Sequence, residues 1–273
     1  MNMSDNKMSM SLIRFLIGVF LIPVCITTSQ ILLAIASVPH SNTTSIISSH
    51  MLSLIGGYIL WLIIYFSLPP PVRTYVLAHE LTHALWGILM GAHVSTLAVG
   101  KTRGSVTLSK TNFIITLAPY FFPLYTVIVV AMYYLTSIFY NMSKYDLLWL
   151  SLIGFTWGFH FTFTICSLSQ QQTDIQAYGR LFSYTIIYIL NLLGIALWIV
   201  LVSSPTLQDF IGLIRYYFTQ MWNIVYNYIS NVFPVWTSLT PLIPKVIPEH
   251  TYLLLFRYII DWRLRVKYIG YRS

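Results

Sequence analysis

The sequence predicts an all-α polytopic membrane protein of six or seven transmembrane helices, with a small β-hairpin after the third apolar segment. Three observations lead there. Of the 273 residues, 57% are hydrophobic and only 8% are charged, with a mean hydropathy of +0.72. A soluble domain carries about a quarter charged residues, so this chain lacks the charge to coat a water-facing surface. Seven apolar segments stand out, near 15–38, 52–69, 72–91, 113–138, 146–168, 181–203 and 208–233. A helix crossing a bilayer needs about 20 residues, and lipid offers the backbone no water, so these segments must be helical. The stretch between the third and fourth segments has a different, β-prone texture.

The elements follow in order. Lys7 and Arg14 precede the apolar run from Phe15, and Ala34-Ile35-Ala36 has the outline of a cleavage site, as in a signal peptide. The run is long for a signal core, so an uncleaved span is expected. Pro69-Pro70-Pro71 must end one helix and allow another to begin, since proline lacks a donor and restricts its predecessor. Val94 to Gly100 and Gly104 to Ser109 flank a polar turn with Lys101 and Arg103, a hairpin signal. Pro119 and Pro123 should kink the fourth helix. Gly154 and Gly158 make a GxxxG pair that lets another helix approach the fifth. Beyond residue 234, prolines lead to a tail with Arg257, Arg263, Arg265, Lys267 and Arg272, which reads as an interfacial amphipathic helix. The organisation is N-terminal spans over 1–71, a membrane core over 72–203, and a C-terminal segment with a basic tail over 204–273.

The formal charge is +8, from 15 Lys+Arg against 7 Asp+Glu. In this context the charges read as topology signals and contacts with anionic lipid, not as a nucleic-acid surface. With seven spans, the loops at 92–112 and 169–180 and the C-terminal tail fall on the basic, cytoplasmic side. Arg73 and Lys144 fall opposite, as do Lys7 and Arg14 against the rule. Cys25 and Cys166 lie in apolar runs and are expected to be buried thiols.

The chemistry is concentrated in Ala78-His79-Glu80-Leu81-Thr82-His83-Ala84-Leu85. Residues four apart share a helix face, so His79 and His83 can offer ring nitrogens to one zinc ion. Glu80 beside them can act as general base toward a water that zinc activates. Random placement of 7 His and two Glu yields such a motif about once in a thousand chains of this length. Ionisable residues inside an apolar helix are costly and point to function.

Zinc needs a third protein ligand. Trp86 and Leu89 occupy the positions where an extended HExxHxxGxxH motif has Gly and His. Glu249 lies in the proline-rich stretch, Asp146 on the loop opposite the hairpin, Asp209 at the start of the last segment and Asp261 in the basic tail. Among the acids that follow the motif Asp174 remains, a lone acid in the polar break 169–180, on the predicted side of the hairpin. Its alternative role is a helix N-cap. His160, within the fifth segment, is the rival ligand or an interhelical contact.

With these residues assembled, the chain resembles the site-2 protease family of intramembrane zinc metalloproteases. The resemblance covers about 72–203: the HExxH octet, Gly91 at the helix end, the hairpin through Gly100 and Gly104, the Ala118-Pro119 helix, and Asp174 two spans later. In that family the closing Asp stands in an Asn/Pro-rich stretch before Gly; here Asp174 precedes Ile175. The resemblance implies a divergent, minimal metalloendopeptidase. Its zinc would be held by His79, His83 and Asp174, with Glu80 catalytic. It would lie in the cell (inner) membrane and cleave membrane-embedded or membrane-proximal protein segments. Its partners would be a membrane protein substrate and the lipid bilayer, with no nucleic acid; nothing in the sequence sets the oligomeric state. Two rivals remain: a non-catalytic polytopic protein (an inactive homologue, scaffold or transporter), and a zinc-dependent membrane hydrolase acting on another bond.

Overall fold

The computed structural model describes residues 3–37, 49–202 and 205–232; the basic tail with its predicted amphipathic helix, together with His40, Glu249, His250 and Asp261, lies outside them. The elements are α1 (Met3–Ala36), α2 (Ser49–Ser67), α3 (Val72–Leu89), β1 (Val94–Val99), β2 (Gly104–Leu108), α4 (Phe113–Phe121), α5 (Leu124–Ser137), a 3-10 turn (Met142–Tyr145), α6 (Asp146–Leu168), α7 (Thr173–Tyr178), α8 (Arg180–Val202) and α9 (Leu207–Val232). Among the described residues the fold is helical with one two-stranded antiparallel sheet.

Four of the described helices are long and apolar enough to cross a membrane: Met8–Ala36, Ser49–Ser67, Met142–Leu168 and Arg180–Val200. The pair α4 and α5 makes a fifth if counted as one span, but it bends by 74°. The break falls at Phe122-Pro123, where proline supplies no N–H to continue the ladder. Six or seven spans would also need α3 and α9. Arg73, His79, Glu80 and His83 interrupt the apolar run of α3, and α9 is amphipathic, with its polar residues gathered on one face.

The chain forms two compact units, Met1–Cys25 with Pro39–Ile195, and Ile26–Val38 with Ala196–Ser273. In the second unit, α9 opens on a reciprocal cap. Asp209 accepts hydrogen bonds from the Thr206 N–H and hydroxyl, each at 2.8 Å, and the Asp209 N–H donates to Thr206 Oγ1 at 3.1 Å.

The first unit holds the motif. There α2 and α6 pack face to face at small residues, as the GxxxG pair anticipates. A Cβ at Gly57 would collide with the Ser151 backbone and one at Gly154 with the Leu54 carbonyl, while Gly158 lies against Trp61. Ser53 also donates to the Leu147 carbonyl. The paired numbers rise together, so the two helices run parallel, both toward the end where α7 begins. Trp61, Phe159 and Phe163 close this seam, with Tyr75 of α3 stacked on Phe163 at 4.7 Å. A second core, Leu117, Tyr120, Ile175 and Ile187, ties α4 to α7 and α8.

Arg14 departs from the seven-span reading. That count puts it opposite the loop at 169–180, yet its Nη1 donates to the Ala177 carbonyl in that loop at 2.7 Å. Leaving α3 uncounted as a crossing changes the parity by one and brings Arg14 to the side of Asp174. The cysteines also differ from expectation. Both are free thiols, but Cys166 is exposed and Cys25 half-buried, because apolar helix faces that meet lipid need no protein cover.

Candidate metal centre

His79 and His83 project from one face of α3, as their spacing requires. The helix ends where Gly91 adopts φ +73°, a left-handed conformation suited to glycine, and the Ala92 N–H bonds back to the Gly87 carbonyl at 2.8 Å. This turn sends β1 and β2 back along α3.

Asp174 comes from α7. It lies in the first turn, but Gln172 is the cap position and no side chain caps there, so Asp174 is not an N-cap. Its carboxylate turns toward the histidines. Asp174 Oδ2 lies 3.2 Å from His79 Nε2 and 3.4 Å from His83 Nε2, and the two Nε2 atoms are 3.2 Å apart. A tetrahedral zinc with bonds of about 2.0–2.1 Å sets its ligand atoms roughly 3.3 Å apart. The three donor atoms therefore already form one face of such a tetrahedron.

The surrounding hydrogen bonds orient the three donors. His83 Nδ1 lies 2.9 Å from the Ile115 carbonyl oxygen, which can only accept. Nδ1 therefore carries a proton, which leaves Nε2, facing Asp174 and His79, as the atom that could ligate a metal. A carboxylate oxygen and two imidazole nitrogens then converge, a donor set that suits zinc. The Tyr75 hydroxyl lies 3.3 Å from His79 Nδ1, and the Tyr120 hydroxyl donates to Asp174 Oδ2 at 3.2 Å. Burial raises the Asp174 carboxyl, but hydrogen bonds and charge from His79 and His83 outweigh it and hold it well below the usual carboxylate range.

Glu80 is buried on the hairpin side of α3, at 7% exposure. A Cβ at Gly104 would stand 2.5 Å from Glu80 Cγ and 2.9 Å from both Glu80 Oε1 and Val76 Cγ1. Glycine there lets β2 close directly onto the carboxylate. Pairing in the hairpin sets which amides face outward. The Gly100 N–H donates to the Arg103 carbonyl at 2.8 Å, and Ala98 pairs with Ser105 and Thr96 with Thr107. Bonded and non-bonded pairs alternate in an antiparallel ladder, so the N–H groups of Gly104, Val106 and Leu108 point away from β1.

His160 does not join the cluster, which among the described residues comprises His79, His83 and Asp174. It lines a small cavity with Tyr75, Ala78, His79 and Thr82, and its buried Nε2 has no hydrogen-bond partner among the described residues. Asp146 accepts from the Tyr133 hydroxyl at 2.7 Å, remote in role from the metal cluster. The sequence reading missed Tyr75, although its place four residues before His79 on the same helix face was a signal that could have found it. Tyr120, the Ile115 carbonyl and the Gly104 contact carried no such signal, because each depends on a neighbour distant in sequence.

No family model matches this chain, and no curated protein or solved structure matches it, so the comparisons identify no family.

Proposed function

We propose that this protein is a zinc-dependent intramembrane endopeptidase that hydrolyses peptide bonds of membrane-embedded or membrane-proximal protein segments. The observation that carries the reading is the convergence of His79 Nε2, His83 Nε2 and Asp174 Oδ2 at tetrahedral-edge spacing beside a buried Glu80. His79, His83 and Asp174 would hold the zinc. When bound, zinc lowers the pKa of its water to about 7 and polarises a carbonyl. Glu80 accepts the proton as water attacks and returns it to the departing amine. A substrate helix must unwind first, because its carbonyls are bonded internally. Bare backbone groups cost on the order of several kcal/mol each in lipid, and the outward amides of Val106 and Leu108 offer them partners by strand addition.

The protein is read as a multi-pass protein of the cell (inner) membrane. Over residues 1–180, with α4 and α5 as one crossing and α3 lining the site, Lys7, Arg14, Arg73, Lys101, Arg103, Lys110 and Arg180 share the cytoplasmic side and Lys144 lies opposite, a division in that stretch that accords with the positive-inside rule.

The test uses purified full-length protein in detergent. Metal analysis is expected to give one zinc per chain, lost in His79→Ala and His83→Ala. Single-span peptides should be cleaved by the wild type and left intact by Glu80→Gln, which keeps its zinc. Cleavage by Glu80→Gln at the wild-type rate overturns the catalytic assignment. Zinc binding without cleavage of any peptide favours the scaffold or the non-peptide hydrolase.

A further inference from the structure

α7 has only six residues. A helix that short cannot hold its own shape in isolation, so the position of Asp174 must be imposed by whatever grips α7. The grips can be followed along the segment. Tyr120 donates to the Asp174 carboxylate, and Ile175 is buried against Leu117, Tyr120 and Ile187. Ser183 Oγ from α8 donates to the Ile175 carbonyl at 3.1 Å. The Ala177 carbonyl, in the last turn, belongs to the group that a helix leaves without internal partners. It is taken by Arg14 of α1 at 2.7 Å, 163 residues away in sequence. The Arg14 guanidinium also lies over the Tyr178 ring, 4.8 Å from its centroid.

Arg14 stands at the N-terminal edge of the apolar run of α1, beside exposed Ile13, Phe15, Leu16 and Ile17. Among the described residues it forms no ion pair with a carboxylate; the contacts it makes are with α7. One turn further on, a Cβ at Gly18 would stand 2.9 Å from both Leu181 Cγ and the Phe182 backbone nitrogen. Arg14 and Gly18 are four apart, on one face. That face therefore docks onto the corner formed by α7 and the start of α8.

We infer that Arg14 is a positioning residue for the metal site: α1, through Arg14 on Ala177 and Tyr178, holds α7 so that Asp174 completes the donor set begun by the two histidines of α3. The inference rests on the reading of Asp174 as a zinc ligand. Ligand distances must hold within about 0.2 Å, so slackness in α7 lowers affinity without touching a ligand. Partners that orient ligands are worth about 10–100-fold in metal affinity.

The experiment measures zinc dissociation constants by chelator competition, and the visible spectrum with cobalt(II), on the full chain in detergent. Asp174→Ala should lose the most affinity and the tetrahedral cobalt bands. Arg14→Ala should bind zinc about 10–100-fold more weakly, with cobalt bands weakened or shifted. Arg14→Lys keeps the charge and one contact, so it should recover part of that loss. Wild-type affinity and cobalt spectra in both Arg14 variants, with Asp174→Ala impaired, overturn the positioning role alone. Should Arg14→Ala not fold, wild-type behaviour of Arg14→Lys overturns it on its own. Wild-type affinity in Asp174→Ala overturns the ligand reading, and this inference with it.

Discussion

His83 Nδ1 lies 2.9 Å from the carbonyl oxygen of Ile115, a residue on α4 that the sequence places 32 positions away. The bond sets the tautomer of His83 and turns Nε2 toward His79 and Asp174. Asparagine can reproduce a donor near the Nδ1 position but nothing at Nε2. His83→Asn should therefore lose zinc while keeping the bond to Ile115, and His83→Ala should lose both. Leaving a buried carbonyl unpaired costs about 1–3 kcal/mol. Thermal unfolding of the metal-free proteins should rank His83→Ala below His83→Asn; equal stability would show that the bond is not formed.

The third ligand is separable from its rival. Asp174→Ala is expected to lower zinc content in the purified protein, and His160→Ala to leave it unchanged, because His160 stands outside the convergent group. Metal analysis of the two variants decides this. Zinc loss in His160→Ala with full retention in Asp174→Ala reverses the assignment.

Gly104 separates hairpin from catalysis. Gly104→Ala sets a methyl within 2.9 Å of Glu80 Oε1, so the carboxylate or the strand must move. Cleavage should fall at least about tenfold, since a misplacement near 1 Å costs on the order of a hundredfold, with zinc content unchanged. Peptide hydrolysis at the wild-type rate counts against the close approach.

The outward amides of β2 make a sharper probe. Proline at Val106 or Leu108 deletes a donor that the ladder with β1 does not use. Val106→Pro and Leu108→Pro should impair cleavage more than alanine at the same positions, with zinc retained. Equal, harmless outcomes for proline and alanine at both positions mean that the strand edge does not hold substrate.

The sequence by itself determined the helical class, the hairpin, the helix break near Pro123 and the pairing of His79 with His83. Each depends on local rules: apolar run length, β-prone stretches about a polar turn, the missing proline N–H, and the helical repeat. It also singled out Asp174, by the scarcity of acids. Tertiary structure decided the rest. That Asp174 meets the histidines, that Ile115 orients His83, that Gly104 admits Glu80 and that Arg14 grips α7 all join residues tens to more than a hundred positions apart. Such contacts are set by how helices pack side by side, and the local pattern of a single chain carries no record of which neighbour arrives.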